Sequence, residues 1–297
     1  MNQKILHLLV MSAFVLFTCY SFAYSQSTES LKPEHELTKQ LITLVNEAVA
    51  QVEMKGEVAF DDFAKPGTKW NHGETYVIVF DLLGNTLVHA DPKEVGKNRY
   101  DLIDINGKPI FRSILAKVTG PDKEGWTHYL WPKPEDIFPT WKSTYSKLVQ
   151  APSGKEYIVS CGLYNMKMEK IFMVEEVNAA IDLLKKEGKT AFLRFRNRHS
   201  DFFYLNTYIF VFDESGVDLV NPAFPNLEGR NMYNMRDESG KYLIREMIEV
   251  AKTKGSGWVE YQWPKPGDAR PVKKMSFVKA LNLDNELLIV GSGIYLD

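Results

Sequence analysis

Gly125-Trp-Thr-His-Tyr-Leu-Trp-Pro-Lys-Pro134 returns in the second half of the chain as Gly257-Trp-Val-Glu-Tyr-Gln-Trp-Pro-Lys-Pro266. Ten positions that agree at glycine, both tryptophans, tyrosine and the Pro-Lys-Pro stop do not recur by chance. The segment also reads as a strand: aromatic residues two apart share one face of a pleated chain, and the prolines end its ladder.

The likeness extends outward in both directions with order and spacing preserved. Thr75-Tyr-Val-Ile-Val-Phe-Asp81 matches Thr207-Tyr-Ile-Phe-Val-Phe-Asp213, with Gly84 and Gly216 following at the same distance. Gly96-Lys-Asn98 pairs with Gly229-Arg-Asn231, Gly107-Lys108 with Gly240-Lys241, and Lys142 with Lys274. Ile158-Val-Ser-Cys-Gly-Leu-Tyr164 and Ile289-Val-Gly-Ser-Gly-Ile-Tyr295 close the two copies. An internal duplication accounts for this pattern, with one domain per copy.

Local chemistry predicts the same elements in each. A leading amphipathic helix carries Leu37, Leu41, Leu44, Val45, Ala48, Val49 and Val52 on one face, and Val174, Val177, Ile181 and Leu184 in copy two. Gly56 and Gly188 are expected to end these helices as left-handed caps. Strands at Tyr76–Phe80 and Tyr208–Phe212 run into glycine turns. A second helix is expected over Ile110–Val118 and Tyr242–Ala251. Three closing strands start at Trp126, Lys142 and Tyr157, with counterparts in copy two. The fold class is α+β, with an antiparallel sheet in each copy.

The N-terminus has the layout of a secretory signal: Lys4, an apolar run from Ile5 to Phe17 shorter than the roughly 20 residues that span a bilayer, then small residues at Ala23 and Ser25. The expected organisation is a signal peptide over 1–25, domain one over 33–165 and domain two over 168–297. A retained anchor is the alternative, because Tyr20 and Phe22 lengthen the apolar run; lipid attachment at Cys19 is disfavoured by bulky Phe17-Thr18. Cleavage would leave Cys161 as the sole cysteine, so stability must come from apolar burial, for which 44% hydrophobic residues are ordinary. A net charge of −2 gives no basic footprint for nucleic acid. No later stretch reaches spanning length.

Strand, Asp-x-x-Gly, Gly-x-Asn, Asp-x-x-Gly-Lys, Gly-Trp-x-x-Tyr-x-Trp-Pro-Lys-Pro and a closing Gly-x-Tyr together resemble the Cache sensor family, in its single-Cache type 2 form. The resemblance implies two tandem PAS-like domains, each a long N-terminal helix packed on a five-stranded antiparallel sheet. It further implies an extracytoplasmic module, periplasmic or secreted, that binds a small molecule, often an organic anion. Because Asp297 directly follows the last strand, the expected form is a free-standing binding protein that acts with a membrane receptor or sensor kinase, and not an enzyme. An enzyme or a structural partner protein using the same fold is the alternative.

Alternation along the Trp126 strand puts Thr127, Tyr129 and Trp131 on the enclosed face, matched by Val259, Tyr261 and Trp263. Such an aromatic wall with hydroxyl and indole donors suits a small polar ligand, and sheet core is the other reading. Lys142 and Lys274 are counter-charges for a carboxylate or, alternatively, solvated lysines. A regular strand sends Lys142 and Tyr145 to opposite faces, so both can line one pocket only across a bulge. Asn98 is a ligand contact or a turn former, and Tyr76 and Tyr208 are expected in the core.

No His-Glu-x-x-His spacing, Gly-x-Ser-x-Gly elbow or phosphate-cradling loop is present. Asp104-Ile-Asn106-Gly107 is similar to a calcium loop, but Leu102 and Ser113 stand where acids are needed, so neither metal nor cofactor is expected.

Overall fold

The computed structural model describes residues 32–134 and 136–296. The expected signal segment 1–25, with Cys19, lies outside them. Copy one runs α1 (Glu36–Lys55), α2 (Ala59–Ala64), β1 (Asn71–His72), β2 (Thr75–Asp81), β3 (Thr86–Val88), α3 (Ile110–Val118), β4 (Glu124–Pro132), β5 (Pro139–Gln150) and β6 (Glu156–Tyr164). Copy two runs α4 (Lys170–Glu187), α5 (Phe192–Arg196), β7 (Phe203–Tyr204), β8 (Thr207–Tyr208), β9 (Phe210–Asp213), β10 (Asp218–Val220), α6 (Leu243–Lys254), β11 (Ser256–Pro264), β12 (Pro271–Leu283) and β13 (Glu286–Tyr295).

The strand order is the same in both. The first sheet reads β1-β2-β6-β5-β4, with β3 also on β2, and the second reads β10-β9-β13-β12-β11, all antiparallel. The two-residue β1 makes the first sheet six-stranded where five strands were expected.

Period-two alternation divides each sheet between two helices. Val77, Val79 and Cys161 face α1, whose Leu41, Val45, Ala48, Val49 and Val52 are buried against them, whereas Tyr76, Ile78, Phe80 and Tyr129 face Phe111 and Ile114 of α3. Leu37, in the first turn of α1, falls outside the stripe and is 64% exposed. In copy two α4 and α6 take the places of α1 and α3. Gly56 and Gly188 do have positive φ (65° and 62°), but with ψ of −145° and −154° they leave the helix extended and not left-handed.

The Asp-x-x-Gly-Lys motif ties a loop to the edge strand. Asp104 Oδ1 accepts the N–H groups of Asn106 and Lys108, closing the turn, while Oδ2 accepts Leu130 N–H from β4 at 3.0 Å. Asp237 repeats this with Ser239, Lys241 and Gln262.

The two copies share a core. The apolar cluster holding α1 and Cys161 continues into Phe172, Met173 and Val177 of α4, and Trp126 of β4 packs 4.8 Å from the Phe172 ring. α4 therefore covers the free edge of the first sheet, where Glu175 Oε2 accepts Trp126 N–H at 3.3 Å. His128, next but one along β4, stacks on Tyr204 of copy two at 4.1 Å.

Candidate functional site

On the α3 side of the first sheet, Tyr76, Ile78, Phe80, Tyr129, Trp131 and Lys142 enclose a small cavity of about 30 Å3, closed from above by His89, Glu94 and Arg99. Its floor follows from strand register. Lys142 pairs with Tyr129 on one side and Tyr164 on the other. The ladder is continuous, with no bulge, so Lys142 and Tyr129 share the enclosed face. Tyr145 goes to the other face, its ring 5.1 Å from Trp126 in the α1 core.

Lys142 is not the solvated lysine that its residue type suggests; it is 1% exposed. Its Nζ lies 3.9 Å from the centre of the Tyr76 ring and 4.9 Å from that of Tyr164, and has no hydrogen-bond partner. Desolvation disfavours the charged form and pulls the ammonium down to about 7, only partly opposed by Cys161 and Glu74. The stem lies across Gly162, where an added Cβ would come within 2.7 Å of Lys142 Cε and 2.4 Å of Thr144 Oγ1. This close approach explains the glycine of the closing Gly-x-Tyr motif.

Hydroxyls ring the lysine. Tyr129 and Thr144 hydroxyls are 2.8 Å apart, Tyr76 and Tyr164 hydroxyls 3.4 Å, and Tyr164 donates to Pro132 O at 2.8 Å. Burial raises the Tyr76 and Tyr129 phenols above their ordinary value, and Tyr164 reaches about 12, so all three stay protonated donors. Desolvation, reinforced by Lys142, lowers His89 to about 4 and keeps it neutral at pH 7. Arg99 forms an ion pair with Glu94. The ensemble presents the partnerless Lys142 amine, the Arg99–Glu94 ion pair and phenolic hydroxyls to one small cavity.

Copy two keeps the frame and the buried lysine and loses the histidine and arginine above it. Lys274 is likewise buried without a hydrogen-bond partner, 4.1 Å from the centre of the Tyr208 ring, and also drawn down to about 7 by desolvation. Asn221 and Met232, however, stand at the places of His89 and Arg99. Trp263 donates its indole N–H to Tyr208 Oη at 3.1 Å, Tyr261 and Ser276 hydroxyls are 2.8 Å apart, and the remaining space is about 20 Å3.

Three predicted contacts lie elsewhere. Tyr145 belongs to the core behind the sheet because β5 is regular. Asn98 is exposed and closes a turn: its Nδ2 donates to Leu83 O and its Oδ1 accepts Tyr100 N–H. Thr127 is on the enclosed face but too far along β4, and it lines a different cavity between the copies. Sequence reasoning missed His89, Glu94 and Arg99. A signal was there: His89/Asn221 and Arg99/Met232 are polar-to-less-polar differences between otherwise matched copies.

Cys161 faces the α1 core, and burial pushes its thiol up to about 11, so little thiolate exists near neutrality. Among the described residues no acidic, histidine or cysteine cluster suits a metal ion, and no helix is long and apolar enough to cross a membrane.

Known proteins resemble parts of this chain. The methyl-accepting chemotaxis protein McpP of Pseudomonas putida is 33% identical over 102 residues, 34% of this chain and 17% of that protein. The sensor histidine kinase MctS of Rhizobium johnstonii is 38% identical over 90 residues, 30% of this chain and 19% of that protein. The chain thus spans under a fifth of the length of these curated relatives, which are chemoreceptor and sensor proteins. A solved structure described as the basis for carboxylic acid recognition by a Cache chemosensory domain is 29% identical, covering 42% of this chain and 91% of that one, with a TM-score of 0.37. The Single Cache domain 2 profile matches residues 24–172 and a second Cache domain profile matches 198–297. The chain belongs to the Cache domain family, as two tandem copies.

Proposed function

We propose that this protein is an exported sensory module whose first domain, 33–165, binds a short organic carboxylate, while the second, 168–297, keeps the fold without an equivalent anion site. Residues 1–25 act as the export signal, and a membrane receptor or sensor kinase reads the bound state. Binding proceeds without turnover.

The observation that carries this reading is the buried, partnerless ammonium of Lys142 beside Arg99. A buried cation without a counter-charge is costly, and a carboxylate entering the cavity supplies one. Tyr129 and Trp131 provide the wall. A cavity of about 30 Å3 has room for only a few non-hydrogen atoms, given the ~10–15 Å3 of such space that one water needs, so acetate or propionate is the expected scale.

Isothermal calorimetry with propionate, and with propanol as a neutral analogue, tests this. Binding of propionate alone supports it; silence from both, or equal affinity for both, removes the anion site.

A further inference from the structure

A second cavity lies where the two copies meet, apart from the one around Lys142. Thr127 and His128 of β4, with Lys117 of α3, meet Glu176 and Ala179 of α4 and Phe202 of the α5–β7 loop around a cavity of about 190 Å3. Eight buried side-chain polar atoms lack a hydrogen-bond partner among the described residues, and three belong to side chains that line this one space: Trp126 Nε1, Thr127 Oγ1 and Glu176 Oε1. Each such atom costs on the order of 1–3 kcal/mol, and the side chains that carry these three stand around one cavity.

Charge narrows the class. At the rim, Lys108 is held by Asp201 at 3.3 Å, which also accepts Ser113 Oγ–H at 2.8 Å, and Arg194 is held by Glu187 at 3.5 Å. Glu175 is engaged by Trp126 N–H. Lys117, half-buried, and Glu176 remain, and Glu176 is the buried one: it is 5% exposed, and only its Oε2 is satisfied, by Ser292 Oγ–H at 2.6 Å. Desolvation by burial holds this carboxyl up to about 8 despite Ser292, Lys108, Lys117 and Lys274, so it is protonated near neutrality. Leu44 occupies the matching position in copy one, so the acid is not part of the shared frame. Phe172, Phe202, Ala116 and Ala179 add an apolar part to the wall.

We propose that this cavity is a second ligand site, taking a short primary alkylammonium whose ammonium rests on Glu176 and whose chain lies against Phe172 and Phe202. The ammonium replaces the proton as the counter-charge of the buried acid. The inference does not depend on the carboxylate reading, since the two cavities share no lining residue.

Calorimetry of the whole mature protein with n-butylammonium, and with n-butanol as the neutral isostere, is the test. Butylammonium is expected to bind, and butanol to bind roughly tenfold or more weakly. Glu176→Gln, which keeps the volume, is expected to lose about tenfold or more for butylammonium. Ala179→Met, which fills the space from the same helix, is expected to do the same, and thermal melting checks that both are folded. No heat from butylammonium at about 10 mM, equal affinity for butanol, or undiminished binding in a folded Glu176→Gln or Ala179→Met protein overturns the proposal.

Discussion

Lys142 Nζ lies 3.9 Å from the centre of the Tyr76 ring, and neither Tyr76 nor any other side chain gives it a hydrogen bond. Lys274 repeats the placement over Tyr208, but without a neighbouring arginine or histidine. Lys142→Met should therefore reduce propionate affinity by roughly ten- to a hundredfold, the worth of one hydrogen bond to a charged ligand, whereas Lys274→Met should leave it unchanged. Calorimetry on the two variants decides between the copies, and the opposite ranking would move the site to copy two.

The same lysine sets a pH dependence. A carboxylate needs the ammonium form, so affinity should fall about tenfold per pH unit above the free-state value near 7. For stability the sign is opposite. Between about 7 and 10.5 the unfolded chain holds the proton that the folded one has lost, so stability rises with pH through this window and is lost on descending through it. Urea midpoints of wild type minus Lys142→Met, taken across the range, isolate this residue because Lys274 is common to both. A flat difference would contradict it.

The two tryptophans should separate function from stability. Trp131 is half-buried at the carboxylate pocket, while Trp263 is 8% exposed and bonded to Tyr208. Trp131→Ala is expected to weaken propionate binding at modest stability cost, with Tyr129→Phe a milder companion. Trp263→Ala should cost about 3–5 kcal/mol of folding free energy and leave affinity in the surviving folded fraction near wild type. Denaturant titration paired with calorimetry distinguishes the two behaviours.

Gly162→Ala should act on binding through Lys142. Its Cβ needs space held by Thr144 Oγ1 and Lys142 Cε, so the lysine must swing or the strand must shift. We expect loss of propionate binding together with about 1–3 kcal/mol of destabilisation from overpacking. Gly293→Ala, which collides with Ser276 and Lys274, should destabilise without touching affinity. Retained tight binding in Gly162→Ala would mean that Lys142 is not the anion's partner.

Strand, turn and helix positions were readable because period two and period 3.6 are written locally, and the duplicate copy checked each reading. The lysines show the limit of that approach. Residue type says that Lys142 is solvated, but the register that turns it inward depends on pairing with Tyr129 and Tyr164, which no local pattern reveals. The same register, unbroken by a bulge, excludes Tyr145. His89 and Arg99 come from loops whose path over the sheet is set by tertiary contacts, and Asn98 beside them is committed to backbone groups. The cavity between the copies was beyond reach, since Thr127 and Glu176 meet only because α4 lies along β4.

That helix along the edge strand has an evolutionary corollary. A duplicated gene ordinarily frees one copy to drift, but here α4 belongs to the packing of the first copy as much as of its own sheet. Substitutions at Phe172 or Glu175 would uncover β4, exposing unpaired amides beside Trp126 and inviting pairing between chains. The second copy is thus held as scaffolding for its sibling.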